Sequence, residues 1–315
     1  MEDPGGHAVG VKAPGGTVVR CALDGSGLEL VAAGLRNSYD LAFNADGELF
    51  TYDSDMESDI GMTWYRPTRV LHVVSGAEFG WRSGWSKWPD YYVDSLPPLA
   101  ETGRGSPTGM VSYDHFMFPA KYQGALFVGD WSEGRILAVT MRRSGAGYIA
   151  NTEDFIRGEP LNVTDLDVGP DGSLYFATGG RATSGGIYRI TWTGNVPDSV
   201  KDLGDDLTSV IRQPQLQSAW ARQRVAGLRV EMDDEWTQGI RGVALATENP
   251  AHYRTRALDL LQLYGPKPDA ALLALLVEDP AEQVRAKTAE LLGLAADERC
   301  RELLTELLDD EDRLV

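Results

Sequence analysis

Apolar and polar positions change their period once along the chain. Up to about Gly194, short apolar-rich runs alternate with clusters of Gly, Pro, Asp and Asn, the pattern of β-strands joined by tight turns. The runs Thr17–Cys21, Leu41–Phe43, Glu48–Tyr52, Ala125–Val128, Arg135–Thr140, Leu174–Ala177 and Ile187–Thr191 are expected strands. After Pro197, Gly and Pro thin out, and Leu, Ala, Glu and Arg recur at helical spacing, as in "AEQVRAKTAELLGLA". The pattern predicts two domains, residues 1–194 and 199–315, with 195–198 as the linker inside "TGNVPD".

Both halves repeat. "NSYDLAFNADGELFTYD" (Asn37–Asp53) aligns without gaps on "NVTDLDVGPDGSLYFAT" (Asn162–Thr178). The match includes Asn37 with Asn162, Asp40 with Asp165, and the pairs Asp46-Gly47 and Asp171-Gly172. An Asp-Gly between two alternating strands marks a hairpin, because Gly accepts the positive φ of a tight turn. "GGTVVRCALDGSG", "EGRILAVTMRRSG" and "GGIYRITWTG" share a second pattern of Gly, short strand and turn. Two hairpins of this kind make a four-stranded unit of about 40–50 residues, the size of a propeller blade. A β-sandwich also uses short strands and frequent turns and is the alternative. The expected fold is a β-propeller fragment of about three blades, followed by an all-α HEAT-like solenoid. The solenoid is read from "RQRVAGL", "RTRALDLL" and "RAKTAELL", which begin at Arg222, Arg254 and Arg285. Asn249-Pro250 and Asp279-Pro280 are its expected helix starts, with Pro in the first turn. "DDEDRLV" opens one more repeat and stops, and strands for about three blades fall short of the four a closed propeller needs. The chain is therefore expected to be a fragment at both ends.

Composition narrows the partners. The chain is 43% hydrophobic and 24% charged, with a formal charge of −18. Acid spread over both halves excludes a nucleic-acid backbone as ligand. No window approaches the roughly 18 apolar residues of a transmembrane helix. Cys21 and Cys300 lie far apart and form no Cys-x-x-Cys or haem motif.

The β half resembles the glucose/sorbosone dehydrogenase-like six-bladed propellers, especially the bacterial branch described as membrane-bound dehydrogenases, in which such a propeller precedes HEAT repeats. "GLRNSYDLAFNADGELF", "DSDMESDIG", "WYRPTRVLHVVSGAEFGWRSG", "GSPTG", "FPAKYQGALFVGDWSEGRI" and "GPDGSLYFATGGRATSGGIYRITWTG" carry the resemblance. It implies an oxidoreductase that passes hydride from a sugar or alcohol to pyrroloquinoline quinone, with calcium on the same face. It also implies a periplasmic or cell-surface location. The sequence departs from that pattern in three places. Leu161–Asp165 has no cation where the quinone enzymes carry clamping basic residues. Trp131 and Ser132 stand where those enzymes have a Lys. The catalytic His of the family belongs to an earlier blade that this chain lacks.

The candidate cofactor contacts are Arg36, Asn37, Asp40, Trp131 and Arg181. A guanidinium can grip a carboxylate as a fork, and an amide can donate to a carbonyl. Arg36 breaks the internal repeat, since Leu161 takes its place in the second copy. The candidate metal ligands are Asp53, Asp55, Glu57 and Asp59, which would share one face of an extended segment as hard oxygens suited to calcium. Their bland reading is a solvated acidic strand end. They form no EF-hand, because Ser58 stands where Gly is needed and Trp64 where the bidentate Glu belongs. "WRSGWSKWPDYYVDSLPPL" (Trp81–Leu99) offers rings that either stack on sugars or pack the loop. His72 sits in the apolar run "RVLHVVSG", as a core or catalytic residue, and Arg66 and Arg69 are loop cations able to face the acidic row. Two functions follow: a quinone- and calcium-dependent sugar or alcohol oxidoreductase, or a non-catalytic propeller binding carbohydrate or protein, with a solenoid surface for a protein partner.

Overall fold

The computed structural model describes residues 15–63, 65–82, 87–196, 198–204, 206–295, 297–312 and 315. Trp64, Trp85 of the aromatic stretch and Pro197 of the linker lie outside the described residues. The chain divides into two compact units, residues 1–193 and 194–315.

The strands of the first unit are β1 (Gly16–Arg20), β2 (Glu29–Leu35), β3 (Leu41–Phe43), β4 (Leu49–Asp53), β5 (Thr68–Val73), β6 (Ala77–Glu78) and β7 (Ala100–Gly103). They continue with β8 (Pro107–Tyr113), β9 (Ala125–Asp130), β10 (Arg135–Ser144), β11 (Gly147–Arg157), β12 (Val163–Val168), β13 (Leu174–Thr178) and β14 (Gly186–Ile190). They form small sheets in the orders β1-β2-β6, β3-β4-β5-β7, β8-β9-β10-β11 and β12-β13-β14. Pairing is antiparallel except between β2 and β6. The expected count of about three units meets four sheets, the first of them β1-β2-β6, in which the short β6 pairs parallel with β2.

The two-residue period explains the packing. In β9, Leu126 and Val128 point one way and Phe127 the other; in β10, Leu137 and Val139 oppose Ile136 and Ala138. One set packs on Ala42, Phe50, Tyr52 and Val70 of the preceding sheet. The other packs on Val163, Leu166, Val168, Leu174 and Phe176 of the following sheet. Val18, Ala32 and Leu35 pack on Leu71 and Val73 in the same way. Each core lies between consecutive sheets, so middle strands are buried on both faces, and all six residues of β9 are buried. First strands are neighbours, with β8 packed between β3 and β12.

The two Asp-Gly turns form alike. Gly47 N–H donates to Asn44 O and Gly172 N–H to Gly169 O, with φ of 84° and 71° at the two glycines.

The second unit is helical: α1 (Asp198–Lys201), α2 (Asp206–Ile211), α3 (Ala219–Met232), α4 (Asp234–Leu245), α5 (Ala251–Tyr264), α6 (Ala270–Ala274), α7 (Glu282–Leu294) and α8 (Glu298–Glu306). Arg222, Arg254 and Arg285 start the same register in α3, α5 and α7. Pro250 is the N-cap of α5, and Pro280 precedes Ala281, the N-cap of α7. The prolines thus stand just ahead of the first turn, where their fixed φ still directs the chain into the helix. Trp236, Ile240, Leu258, Leu261, Leu272 and Leu292 belong to one continuous core.

Candidate functional site

Asp53 ends β4 with its side chain fully buried. Its Oδ1 accepts the backbone N–H groups of Arg36 at 2.9 Å and Asn37 at 2.8 Å. Its Oδ2 lies 3.7 Å from Arg69 Nη2 and 3.6 Å from Lys87 Nζ. Arg69, the second residue of β5, stands opposite Asp53 and donates to Phe79 O, and Lys87 donates to the carbonyl of Ser54. Burial pushes the Lys87 ammonium down to about 7, against the pull of Asp53.

The rest of the acidic row has partners of several kinds. Tyr65 Oη donates to Asp55 Oδ2 at 2.6 Å. Glu57 takes Arg36 Nη2 at 2.8 Å, and Arg36 Nη1 donates to Ser54 Oγ. Asp59 is buried, and burial pushes its carboxyl up. Calcium takes six to eight oxygens, mostly carboxylate, carbonyl and water. Asp53 here faces two cations and two N–H groups, which would compete with and repel such an ion. Among the described residues no three His, Cys, Asp or Glu side chains are gathered as a metal site. The row does not fit the calcium expectation: a turn of 3-10 helix at Glu57–Asp59 ends the extended run that would have put four carboxylates on one face. Arg36 is likewise paired with Glu57 and Ser54.

Asn37 is exposed, and its backbone N–H is what Asp53 uses. Asp40 is tied into the sheet: its Oδ2 accepts Met110 N–H of β8 at 2.9 Å, and its carbonyl accepts Thr51 Oγ1. Its twin Asp165 lies close enough for the two carboxylates to raise the Asp165 carboxyl, after burial itself. Asn162, the twin of Asn37, donates to Trp131 O at 2.9 Å.

Trp131 and Arg181 do come together. Trp131 Nε1 donates to Gly179 O at 2.6 Å, and the Arg181 guanidinium lies over the indole, 5.3 Å from its centre. Beside Trp131 a cleft of about 540 Å³ runs from Ser132, Glu133 and Gly134 to Arg157–Asn162. Its lining is mainly polar, with Ser132, Glu133, Glu159 and Asn162 able to bond the hydroxyls of a small ligand.

In the aromatic stretch, Trp88 packs on Tyr92 and lies under the Arg82 guanidinium, 4.0 Å from the ring centre. Its ring faces serve packing. Arg66 is buried and donates to Trp88 O. His72 pairs with Glu48 at 2.8 Å and stacks on Phe50. Sequence reasoning missed Lys87 and Asp130. Asp130 ends β9 fully buried, accepts Ser106 N–H at 2.8 Å and pairs with Arg135 at 3.0 Å. Its signal was a carboxylate at the end of an apolar strand, as in "ALFVGD".

No protein-family model and no curated protein matches the chain. Among solved structures it is similar to a glucose dehydrogenase, at 19% identity over 55% of this chain and 48% of that one, with a TM-score of 0.42. It is similar to the pyrroloquinoline-quinone-bound form of aldose sugar dehydrogenase from Streptomyces coelicolor, at 18% identity over 56% and 52%, with a TM-score of 0.43. It is also similar to the soluble aldose sugar dehydrogenase of Escherichia coli in its apo-form, at 19% identity over 53% and 48%, with a TM-score of 0.40. The chain spans about half the length of these structures.

Proposed function

We propose that the first unit is a binding module for a sugar or similar polyhydroxylated small molecule, held in the cleft beside Trp131. The observation that carries this reading is the polar cleft: Ser132, Glu133, Glu159 and Asn162 line it, and Trp131, whose indole Nε1 donates to Gly179 O and whose carbonyl accepts Asn162, sits in the turn next to it. Carboxylates and amides bond sugar hydroxyls, and a flat ring packs on sugar C–H groups. The pairing of Asp53 with Arg69 and Lys87, and of Arg36 with Glu57, supports a binding role over calcium- and quinone-dependent oxidation.

Calorimetric titration of the whole chain with aldoses and polyols tests the reading. Binding that is lost in Trp131→Ala, with no change in melting temperature, supports it. The redox alternative is tested by adding pyrroloquinoline quinone and millimolar calcium and following dye reduction with an aldose. No dye reduction is expected, and sustained turnover would overturn the binding-only reading.

A further inference from the structure

We infer that the ligand of this cleft carries a protonated amine, as an amino sugar does, and that Glu133 and Glu159 read it. The inference rests on the carbohydrate reading above and narrows it to a cationic sugar. Ser132, Glu133 and Gly134 form one wall of the cleft, and residues 157–162 form the other.

Hydrogen bonds lace the two walls together. Gly158 N–H donates to Gly134 O at 2.9 Å, and Arg157 Nη1 donates to Glu133 O at 3.2 Å. Asn162 Nδ2 donates to the carbonyl of Trp131, the residue before Ser132, at 2.9 Å. Gly134 has a φ of 60°, and a Cβ there would come within 2.5 Å of Gly158 O, so glycine is required at this close approach. Walls held in this way are set before a ligand arrives, which lowers the ordering cost of binding.

The polar groups of the walls differ in what they already hold. Ser132 Oγ donates to Asp130 Oδ1 at 3.4 Å. Arg157, the cation of the lining, pairs through Nε with Asp154 Oδ2 at 2.8 Å, and its charge lies in the field of Asp154, Glu133 and Asp130. Glu133 is half-buried and Glu159 exposed, and among the described residues no hydrogen bond or ion pair reaches the carboxylate of either. Asp154 balances Arg157, so the charges of Glu133 and Glu159 remain uncompensated.

Two carboxylates, which only accept, favour a ligand group that brings both positive charge and several donors. An ammonium brings three N–H donors, whereas a hydroxyl brings one and no charge. A sugar carboxylate would be repelled by the same two groups. The chain's formal charge of −18 draws cations to its whole surface, and the experiment must separate the cleft from that general field.

Calorimetry of the whole chain at mildly acidic pH, with glucosamine, N-acetylglucosamine and glucose, makes the separation. Glucosamine should bind the wild type roughly fivefold tighter than glucose, the upper range for exposed charge pairs. N-acetylglucosamine, with a neutral amide in place of the ammonium, should bind no tighter than glucose. The preference for glucosamine should fall to near one when Glu133→Gln and Glu159→Gln are combined, and an unchanged melting temperature shows that this variant is folded. A preference that survives the double replacement would come from the general field and would overturn the inference. Glucosamine and glucose binding equally to the wild type would also overturn it, while leaving the carbohydrate reading standing. If none of the three sugars binds, both fall together.

Discussion

Asp53 and Asp130 hold the same place in consecutive sheets. Each ends the second strand of its meander, and each faces an arginine at the start of the third, Arg69, the second residue of β5, and Arg135, the first of β10. Each also accepts backbone N–H from the segment leading into the first strand, Arg36 and Asn37 in one case and Ser106 in the other. In the β12–β14 sheet the corresponding positions are Thr178 and Gly186, without charge. Asp53 is thus part of the sheet architecture, and this takes it out of the acidic row as a free ligand.

The two aspartates should differ in cost when removed. Asp53→Ala leaves Arg69 and Lys87 buried without a counter-charge and two N–H groups without an acceptor. Breaking a buried pair in this way costs about 3–5 kcal/mol. Asp130→Ala leaves Arg135, which is less buried and still reaches Thr102 O, so a loss of about 1–3 kcal/mol is expected. Denaturant unfolding of the whole chain measures both, and equal losses would contradict the difference in burial.

Lys87 gives the stability a definite pH dependence. In the folded chain its ammonium is pushed down to about 7, chiefly by burial, with Arg69 and Arg66 adding to the effect and Asp53 and Asp55 opposing it. In the unfolded chain it titrates near 10.5. Between those values the unfolded state binds more protons, so stability rises with pH. Below about 7 both states are protonated and the penalty is constant. From pH 7 to 9 the wild type should gain up to about 1.4 kcal/mol per pH unit relative to Lys87→Met. Parallel pH profiles of the two proteins would show that Lys87 is not titrating in this window.

The hairpins were legible because Asp-Gly and a two-residue period are local signals, and β3–β4 and β12–β13 form as Asn37–Asp53 and Asn162–Thr178 predict. Strand ends shifted by one residue at β1, β4 and β14, while β10 runs four residues beyond the expected Thr140. The kinship of Asp53 and Asp130 was not legible. A tight turn follows Asp130, whereas a long excursion from Ser54 to Pro67 follows Asp53, so no gap-free alignment brings Arg69 and Arg135 together. Lys87 gave no signal either, because its burial comes from a loop folding back on Ser54. The approach of Arg181 to Trp131 depends on two turns of different sheets meeting, which periodicity cannot encode.

The twin turn glycines provide a matched pair. Both have positive φ, so an alanine at either is strained by about 1–2 kcal/mol. A Cβ on Gly47 meets nothing within 4 Å, whereas one on Gly172 would come within 2.3 Å of Met117 and 2.4 Å of His115. Gly172→Ala should therefore lower the melting temperature clearly more than Gly47→Ala. Similar shifts would mean that Met117 and His115 move aside without cost.

In the helical unit, two of the three arginines at the repeated position, Arg254 and Arg285, reach the aspartate that begins the next repeat, whereas Arg222 bonds Leu216 O and Gln217. Arg254 grips Asp279 through Nη1 and Nη2, and also donates through Nε to Ala244 O. Arg285 grips Asp310 through Nε and Nη2 at 2.7 and 2.9 Å, and its Nη1 donates to Asp279 O. The first pair is almost fully buried and the second less so. Coulomb attraction between buried charges is offset by their lost hydration, so such a pair fixes register more than it adds net stability. Removing one partner is different, because the other charge stays buried alone. Asp279→Ala should therefore cost about 3–5 kcal/mol, and Asp310→Ala noticeably less. The double replacement Arg254→Met with Asp279→Leu should recover much of the loss, since it leaves no unpaired charge and fills the space with apolar atoms. Far-UV circular dichroism against denaturant reads all of these on the helical signal. If the double variant were as unstable as Asp279→Ala, the pair would be stabilising in its own right and the register argument would fail.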